Sequence, residues 1–163
     1  MSERKNTYFA SDLHLGAPTY EKSREREVLF VQWLDSIEPT AKEIYLLGDV
    51  FDFWFEFKST IPKGYARLQG KLAELTDKGI PIYWMKGNHD MWMFGYLEKE
   101  LGVQIIDQPV LKTFGDKQFY LAHGDGLGPK QRTYKLIRKF SRSCFAQRLF
   151  AFLHPTFGLW LAS

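Results

Sequence analysis

Leu46-Leu47-Gly48-Asp49-Val50-Phe51-Asp52 is the stretch from which the fold can be read. The apolar run Ile44 to Leu47 predicts a short buried strand. It ends in a glycine that can turn sharply, followed at once by a carboxylate. Strand, glycine and acid in this order can place a charged ligand site at the edge of a sheet. Alone, the same residues describe an ordinary turn with an Asp cap. Three other stretches repeat the pattern: Asp12-Leu13-His14, Gly87-Asn88-His89-Asp90 and His123-Gly124-Asp125. Each follows a strand-like apolar run and carries oxygen or imidazole donors.

Working outward, Thr7 to Ala10 predicts the first strand and Glu43 to Leu47 the second. Ile80 to Met85 predicts the third. Between the first two, Phe30, Trp33, Leu34 and Ile37 form a helical stripe over Glu21 to Ile37, and Pro39 stops it. Tyr65, Leu68, Leu72 and Leu75 mark a second helix, ended by Gly79 and Pro81. Met91 to Leu101 predicts a short third helix closed by Gly102. This β-loop-α succession predicts an α/β fold with a parallel sheet and helices packed on it. Ligands in such sheets bind at the carboxyl ends of the strands, so Asp12, His14, Asp49, Asn88 and His89 fall on one edge. Val103 to Ile106, Val110 to Phe114 and Gln118 to Ala122 predict a second, antiparallel group, with Gly115-Asp116 as a hairpin turn. That group delivers His123 to a strand end.

At 163 residues the chain is long enough for one domain with a substantial core. A 45% apolar fraction excludes a disordered chain. The single Cys144 excludes an internal disulfide and fits a reducing compartment. The short polar start predicts no signal peptide, and no apolar run reaches the roughly 18–20 residues of a membrane span. The net charge of +3 is unevenly spread: seven lysines and arginines and no acidic residue follow Asp125. The sequence therefore divides into a mildly acidic core, residues 1–128, and a basic, aromatic segment, residues 129–163. In the latter, Tyr134, Ile137, Phe140 and Cys144 recur at helical spacing. Such a segment favours an anionic partner.

Asp, His and Asn form a sensible donor set for divalent metals of borderline hardness. Two such ions roughly 3.5–4 Å apart can activate water and clamp both oxygens of a displacement at phosphorus. The pair needs a bridging carboxylate, and Asp49 is the candidate. Asp12 and Asp90 each read alone as a helix cap, Asn88 as a turn and His123 as a satisfied polar residue. Four such groups at successive strand ends read together as one site.

In order and spacing, Asp12-x-His14, Gly48-Asp49-x-x-Asp52, Gly87-Asn88-His89-Asp90 and His123-Gly124-Asp125 resemble the motifs of the calcineurin-like metallophosphoesterases. The resemblance covers residues 8 to 125. It implies a four-layer α/β/β/α sandwich around two metals, incomplete here. It further implies that Asp12, His14 and Asp49 hold one ion, and that Asp49, Asn88 and His123 hold the other. His89 would sit near the leaving group, positioned by Asp52, and Asn88 and His89 would meet the substrate. The superfamily also takes two metal histidines from a late Gly-His-x-His motif, which the 163 residues do not contain; His154 precedes Pro155 and does not match. A chain stopping before that motif is expected to bind metal weakly, to turn over little, and to leave a sheet edge and apolar surface uncovered.

A narrower resemblance lies in Ser11-Asp12-Leu13-His14-Leu15-Gly16, Leu47 to Trp54 and Ala122 to Leu127. These are similar to the UDP-2,3-diacylglucosamine pyrophosphatases of lipid A biosynthesis. That family implies cleavage of UDP-2,3-diacylglucosamine to 2,3-diacylglucosamine 1-phosphate and UMP. It implies two divalent ions, Mn2+ first, and a helical lid after the His-Gly-Asp motif. It also implies a place on the inner face of the inner membrane of a Gram-negative cytoplasm, against anionic lipid. Some members have Gly-Asn-Arg-Asp where this chain has Gly87-Asn88-His89-Asp90. The alternatives are another phosphoester substrate of the same superfamily, or a non-catalytic scaffold of the same fold. Nucleic acid is not an expected partner; salt-dependent binding to duplex DNA would mark it.

Overall fold

A computed structural model describes residues 4–125 and 143–151. Four strands form one parallel sheet in chain order: β1 (Asn6–Ala10), β2 (Ala41–Leu46), β3 (Ile82–Met85) and β4 (Gln104–Ile106). Three helices connect them: α1 (Tyr20–Ile37), α2 (Ala66–Asp77) and α3 (Tyr96–Leu101). The strands β5 (Val110–Phe114) and β6 (Lys117–Leu121) form a separate antiparallel hairpin. A last described helix, α4, spans Cys144–Ala151.

Alternation along the strands sorts the core into two layers. Ile44 and Leu46 of β2 and Ile82 and Trp84 of β3 face the helices, where they meet Phe30, Leu34, Ile37, Leu68, Leu72, Leu75, Leu97 and Leu101. Tyr45 and Met85 point the other way and pack with Leu121, Val110 and Phe114 of the hairpin. An aromatic stack fills that second layer, with Tyr45 on Tyr83 at 4.7 Å and Phe9 on Tyr45 at 5.3 Å. Fully burying an aliphatic or aromatic side chain of this size contributes about 1.5–3 kcal/mol. Two packed faces explain why Ile44, Tyr45 and Leu46 of β2 and all four residues of β3 are continuous in apolar residues. Among the described residues the order of layers is helices, sheet, hairpin. The outer face of the hairpin is exposed: Leu111 is 70% accessible and its cross-strand partner Tyr120 61%.

Two expectations change. The strand at Gln104–Ile106 pairs parallel with β3 and belongs to the first sheet rather than to the antiparallel group. The third helix starts at Tyr96, not Met91. Residues before it run beside the loop after β2, with a parallel bridge between Phe55 and Trp92. Neither Asp12 nor Asp90 caps a helix. Thr19 caps α1 by accepting the Lys22 N–H. The caps of α2 and α3 come from distant buried glutamates. Glu27 of α1 accepts the Arg67 and Leu68 N–H groups at 3.0 and 3.1 Å, and Glu56 accepts those of Phe94 and Tyr96. A carboxylate there satisfies orphan donors and complements the helix dipole. The residue boundary at 128 and the helical stripe from Tyr134 to Phe140 lie outside the described residues.

Candidate metal centre

The β1–β2 ladder does not stop at the strand ends. Leu47 N–H donates to Ala10 O, Asp12 N–H to Gly48 O, His14 N–H to Asp49 O and Leu15 N–H to Val50 O. The two loops therefore run side by side, and Asp12 and His14 come to lie against Asp49. Helix α1 holds the first loop from outside. Ser23 Oγ accepts the Gly16 N–H at 2.7 Å, and the Arg26 guanidinium donates to His14 O and Ala17 O.

Asp12, His14 and Asp49 all have positive φ, at 56°, 43° and 52°. Left-handed backbone is unfavourable for a residue with a Cβ, and three such residues at one edge mark stored strain at a functional site. Close approach explains the neighbouring glycine. A Cβ on Gly87 would lie 2.0 Å from Asp49 Oδ1 and 2.5 Å from Asp49 N. The absence of a side chain there lets the tip of β3 close onto the Asp49 carboxylate.

Asp49 is the centre of the cluster and is 3% exposed. Its Oδ2 lies 3.2 Å from His123 Nε2 and 3.8 Å from His14 Nε2. Its Oδ1 accepts the His89 N–H at 2.9 Å. Asn88 Oδ1 is 3.2 Å from His123 Nε2, and Asp12 Oδ1 is 3.9 Å from His14 Nε2. Two compact donor groups result, Asp12–Asp49–His123 and His14–Asp49–His89, and they share Asp49. All seven residues singled out in the sequence thus meet at one edge. Asp12, His14 and Asp49 also lie together, with His14 Nε2 3.9 Å from Asp12 Oδ1 and 3.8 Å from Asp49 Oδ2, and the His89 ring approaches the same group.

The donors are oriented as metal ligands usually are. His123 Nδ1 hydrogen-bonds to Leu47 O at 2.8 Å, which turns Nε2 toward Asp49. His14 Nδ1 is 3.0 Å from Asp52 Oδ1. A ligand histidine backed by a carboxylate is the usual outer-shell arrangement. Asp52 is closer to His14 than to the His89 ring, whose Nδ1 lies 3.6 Å from Asp52 Oδ1 but 2.7 Å from the Asp52 carbonyl oxygen. Two carboxylates, a carbonyl oxygen and imidazole nitrogens fit one or more divalent cations of the borderline class.

Electrostatics agree with that fit. The hydrogen bond to Asp49 pushes His123 up to about 9, against burial. Burial would raise Asp49, but His123 and the His89 N–H outweigh it and hold the carboxyl below its usual range. A cation must displace the His123 proton, because only the neutral ring can ligate. Metal affinity is therefore expected to rise about tenfold per pH unit below about 9 and to level off above it. Calorimetric titration with Mn2+ in buffers of different ionisation enthalpy would count the proton released. An affinity flat between pH 6 and 9 would contradict this.

One buried group at this edge was not read as functional from the sequence. Asp90 is fully buried and accepts four N–H groups: from Gly87 at 2.9 Å, Val50 at 2.9 Å, Asp49 at 3.2 Å and Trp84 Nε1 at 3.3 Å. Burial pushes its pKa up, with the N–H bonds opposing.

Beside the centre lies an aromatic wall. Phe150 of α4 packs on Trp92 at 5.0 Å, Phe55 at 4.9 Å and Phe53 at 5.9 Å. Phe53 follows Asp52 in the chain, and Trp92 is three residues after His89.

The arrangement is that of a metallophosphoesterase, and residues 6–156 match the model of the calcineurin-like phosphoesterase family. The chain belongs to that family. It is similar to the UDP-2,3-diacylglucosamine hydrolase of Porphyromonas gingivalis, 39% identical over 98% of this chain and 61% of the relative. The enzymes of the same name from Haemophilus influenzae and Neisseria meningitidis serogroup B are 33% and 35% identical over 90% and 91% of this chain, and 60% of each relative. The chain thus spans about three fifths of the length of these curated relatives. A crystal structure of a protein of unknown function from Aquifex aeolicus superposes with a TM-score of 0.52 at 19% identity, over 87% of this chain and 73% of that one. That likeness supports the fold.

Proposed function

We propose that the protein acts in lipid A biosynthesis by hydrolysing the pyrophosphate of UDP-2,3-diacylglucosamine, giving 2,3-diacylglucosamine 1-phosphate and UMP. The observation that carries this is the Asp49 carboxylate shared by two donor groups, in a chain similar along nearly its whole length to hydrolases named for that substrate. Two divalent ions, Mn2+ first, would be held by Asp12, His14, Asp49, Asn88 and His123. Bound there, they would supply an activated water and neutralise charge on the phosphoryl oxygens.

The chain's own residues supply the rest. Asn88 and His89 face the reacting phosphate from the tip of β3. With His89 Nδ1 engaged by the Asp52 carbonyl oxygen, Nε2 is the ring atom left for a phosphate oxygen. Asp52 orients two rings at once, His14 through its carboxylate and His89 through its backbone. Phe53, Trp92 and Phe150, packed around the buried Phe55, offer an apolar surface suited to an acylated substrate rather than a free nucleotide. Among the described residues no helix is long and apolar enough to cross a membrane. Access to an acylated substrate would then come through peripheral contact, with the basic residues from Lys130 to Arg148 meeting anionic lipid.

The test is UMP release from UDP-2,3-diacylglucosamine with Mn2+, followed by mass spectrometry, for the protein and its His89→Ala variant. The expected result is Mn2+-dependent UMP release that falls about 10²-fold or more in the variant while metal content is kept. Turnover of cyclic nucleotides without turnover of the acylated substrate would favour another phosphoester. Full turnover by His89→Ala would remove the role given to His89.

A further inference from the structure

We infer that Asp90 is a positioning residue that sets the geometry of the metal centre from beneath it, without touching metal or substrate. This rests on the reading of the site as a two-cation centre. Both Asp90 oxygens are already engaged. Oδ1 accepts the N–H groups of Asp49 and Gly87, and Oδ2 accepts those of Val50 and the Trp84 indole. No lone pair is left aimed at the cluster, and the side chain is sealed from solvent.

The pattern of those bonds is informative. Asp49 N and Val50 N are the two peptide N–H groups that bracket the Asp49 Cα. Holding both fixes the residue in its left-handed conformation at φ 52° and so fixes the direction of its carboxylate. Gly87 N belongs to the other strand tip and immediately precedes Asn88. One carboxylate therefore ties the backbone of the shared ligand Asp49 to the backbone that carries Asn88. The close approach of Gly87 to Asp49 Oδ1 is kept by the same clamp. A left-handed aspartate has little intrinsic reason to stay where it is, and its neighbours must over-determine it. Two anchors on one carboxylate do so; with two N–H donors on each oxygen there is no place for a proton, and bonds to an ionised acceptor are about twice as strong as neutral ones.

The test is Mn2+ titration by calorimetry, with electron paramagnetic resonance of the bound ions, on the whole protein and three variants. Asp90→Asn places an NH2 where two N–H donors need an acceptor. It is expected to retain its far-UV circular dichroism and to lose 10–100-fold in Mn2+ affinity, the usual effect of removing an outer-shell partner. Asp90→Glu keeps both oxygens but displaces them by one methylene, and the same loss is expected. Trp84→Phe removes one bond to the same carboxylate without freeing Asp49, Val50 or Gly87, so its affinity should stay within about twofold. Folded Asp90 variants with unchanged Mn2+ affinity would overturn the inference. A loss in Trp84→Phe equal to that in Asp90→Asn would do so too, since packing alone would then explain both. Failure of both Asp90 variants to fold would make Asp90 a stability residue and end the positioning account. Absence of Mn2+ binding by the unsubstituted protein would overturn the two-cation reading along with it, whereas normal binding with unaffected variants overturns the positioning role alone.

Discussion

Asp49→Asn is expected to abolish binding of both cations at once. Asp49 is the one side chain that belongs to both donor groups. The amide keeps one oxygen and removes the negative charge that lets the carboxylate sit between two ions. Its NH2 would be turned either toward His123 Nε2, now 3.2 Å from Oδ2, or toward the His89 N–H that Oδ1 accepts. Either orientation sets a donor against the metal position or against another donor. The affinity loss should exceed the roughly 10–100-fold typical of an outer-shell change, because a ligand itself is removed. Metal content after dialysis is the measurement. The same change at Asp12 should spare one ion. Equal retention of metal by Asp49→Asn and the unsubstituted protein would show that Asp49 does not bridge.

Gly87→Ala should be the most damaging single-methyl change near the site. The added Cβ would sit 2.0 Å from Asp49 Oδ1, 2.5 Å from Asp49 N and 2.8 Å from Asp49 Cγ. None of these atoms is the far end of a flexible chain. The backbone nitrogen is anchored on Asp90, and the carboxylate is anchored on His89 N and His123. Relief requires the tips of β2 and β3 to part, which breaks the Gly87–Asp90 bond as well. Overpacking alone costs about 1–3 kcal/mol, and the lost buried bonds add about 1–3 more. The expectation is a loss of about 2–6 kcal/mol in urea denaturation together with loss of metal binding. Gly70→Ala, on α2 with open space around its Cβ, is the matching control and should not destabilise. A Gly87→Ala protein as stable as that control would mean that the two strand tips are not in contact in solution.

Most of the site was legible because its chemistry is local. A strand followed by Asp or His appears as a short apolar run and a polar residue, and parallel-sheet topology does the rest. That reasoning brought Asp12, His14, Asp49, Asn88 and His89 to one edge, and the motif set added His123 from the antiparallel group; the structure brings all six together. Taken alone Asp90 reads as a cap, and of its donors only Gly87 and Trp84 lie near it in the sequence. Two of its four donors, Asp49 and Val50, lie 41 and 40 residues away and could not be inferred from spacing. Glu27 and Glu56 escaped for the same reason: each caps a helix that begins about 40 residues later. The start of α3 was misplaced because helical periodicity ignores such a cap. Trp92 follows the helical spacing, yet it bridges to Phe55 and packs with Phe150 before the helix begins. The pairing of β4 with β3 was hidden because three residues carry too little alternation to distinguish parallel from antiparallel partners.

The central claim is that one buried aspartate bridges two divalent cations. It is tested most directly by diffraction from crystals soaked in Mn2+, with data collected at the manganese absorption edge. Two anomalous peaks are expected roughly 3.5–4 Å apart, one on each side of the Asp49 carboxylate. One should lie toward His14 and the other toward His123. A single peak, or two peaks neither of which Asp49 touches, would contradict it.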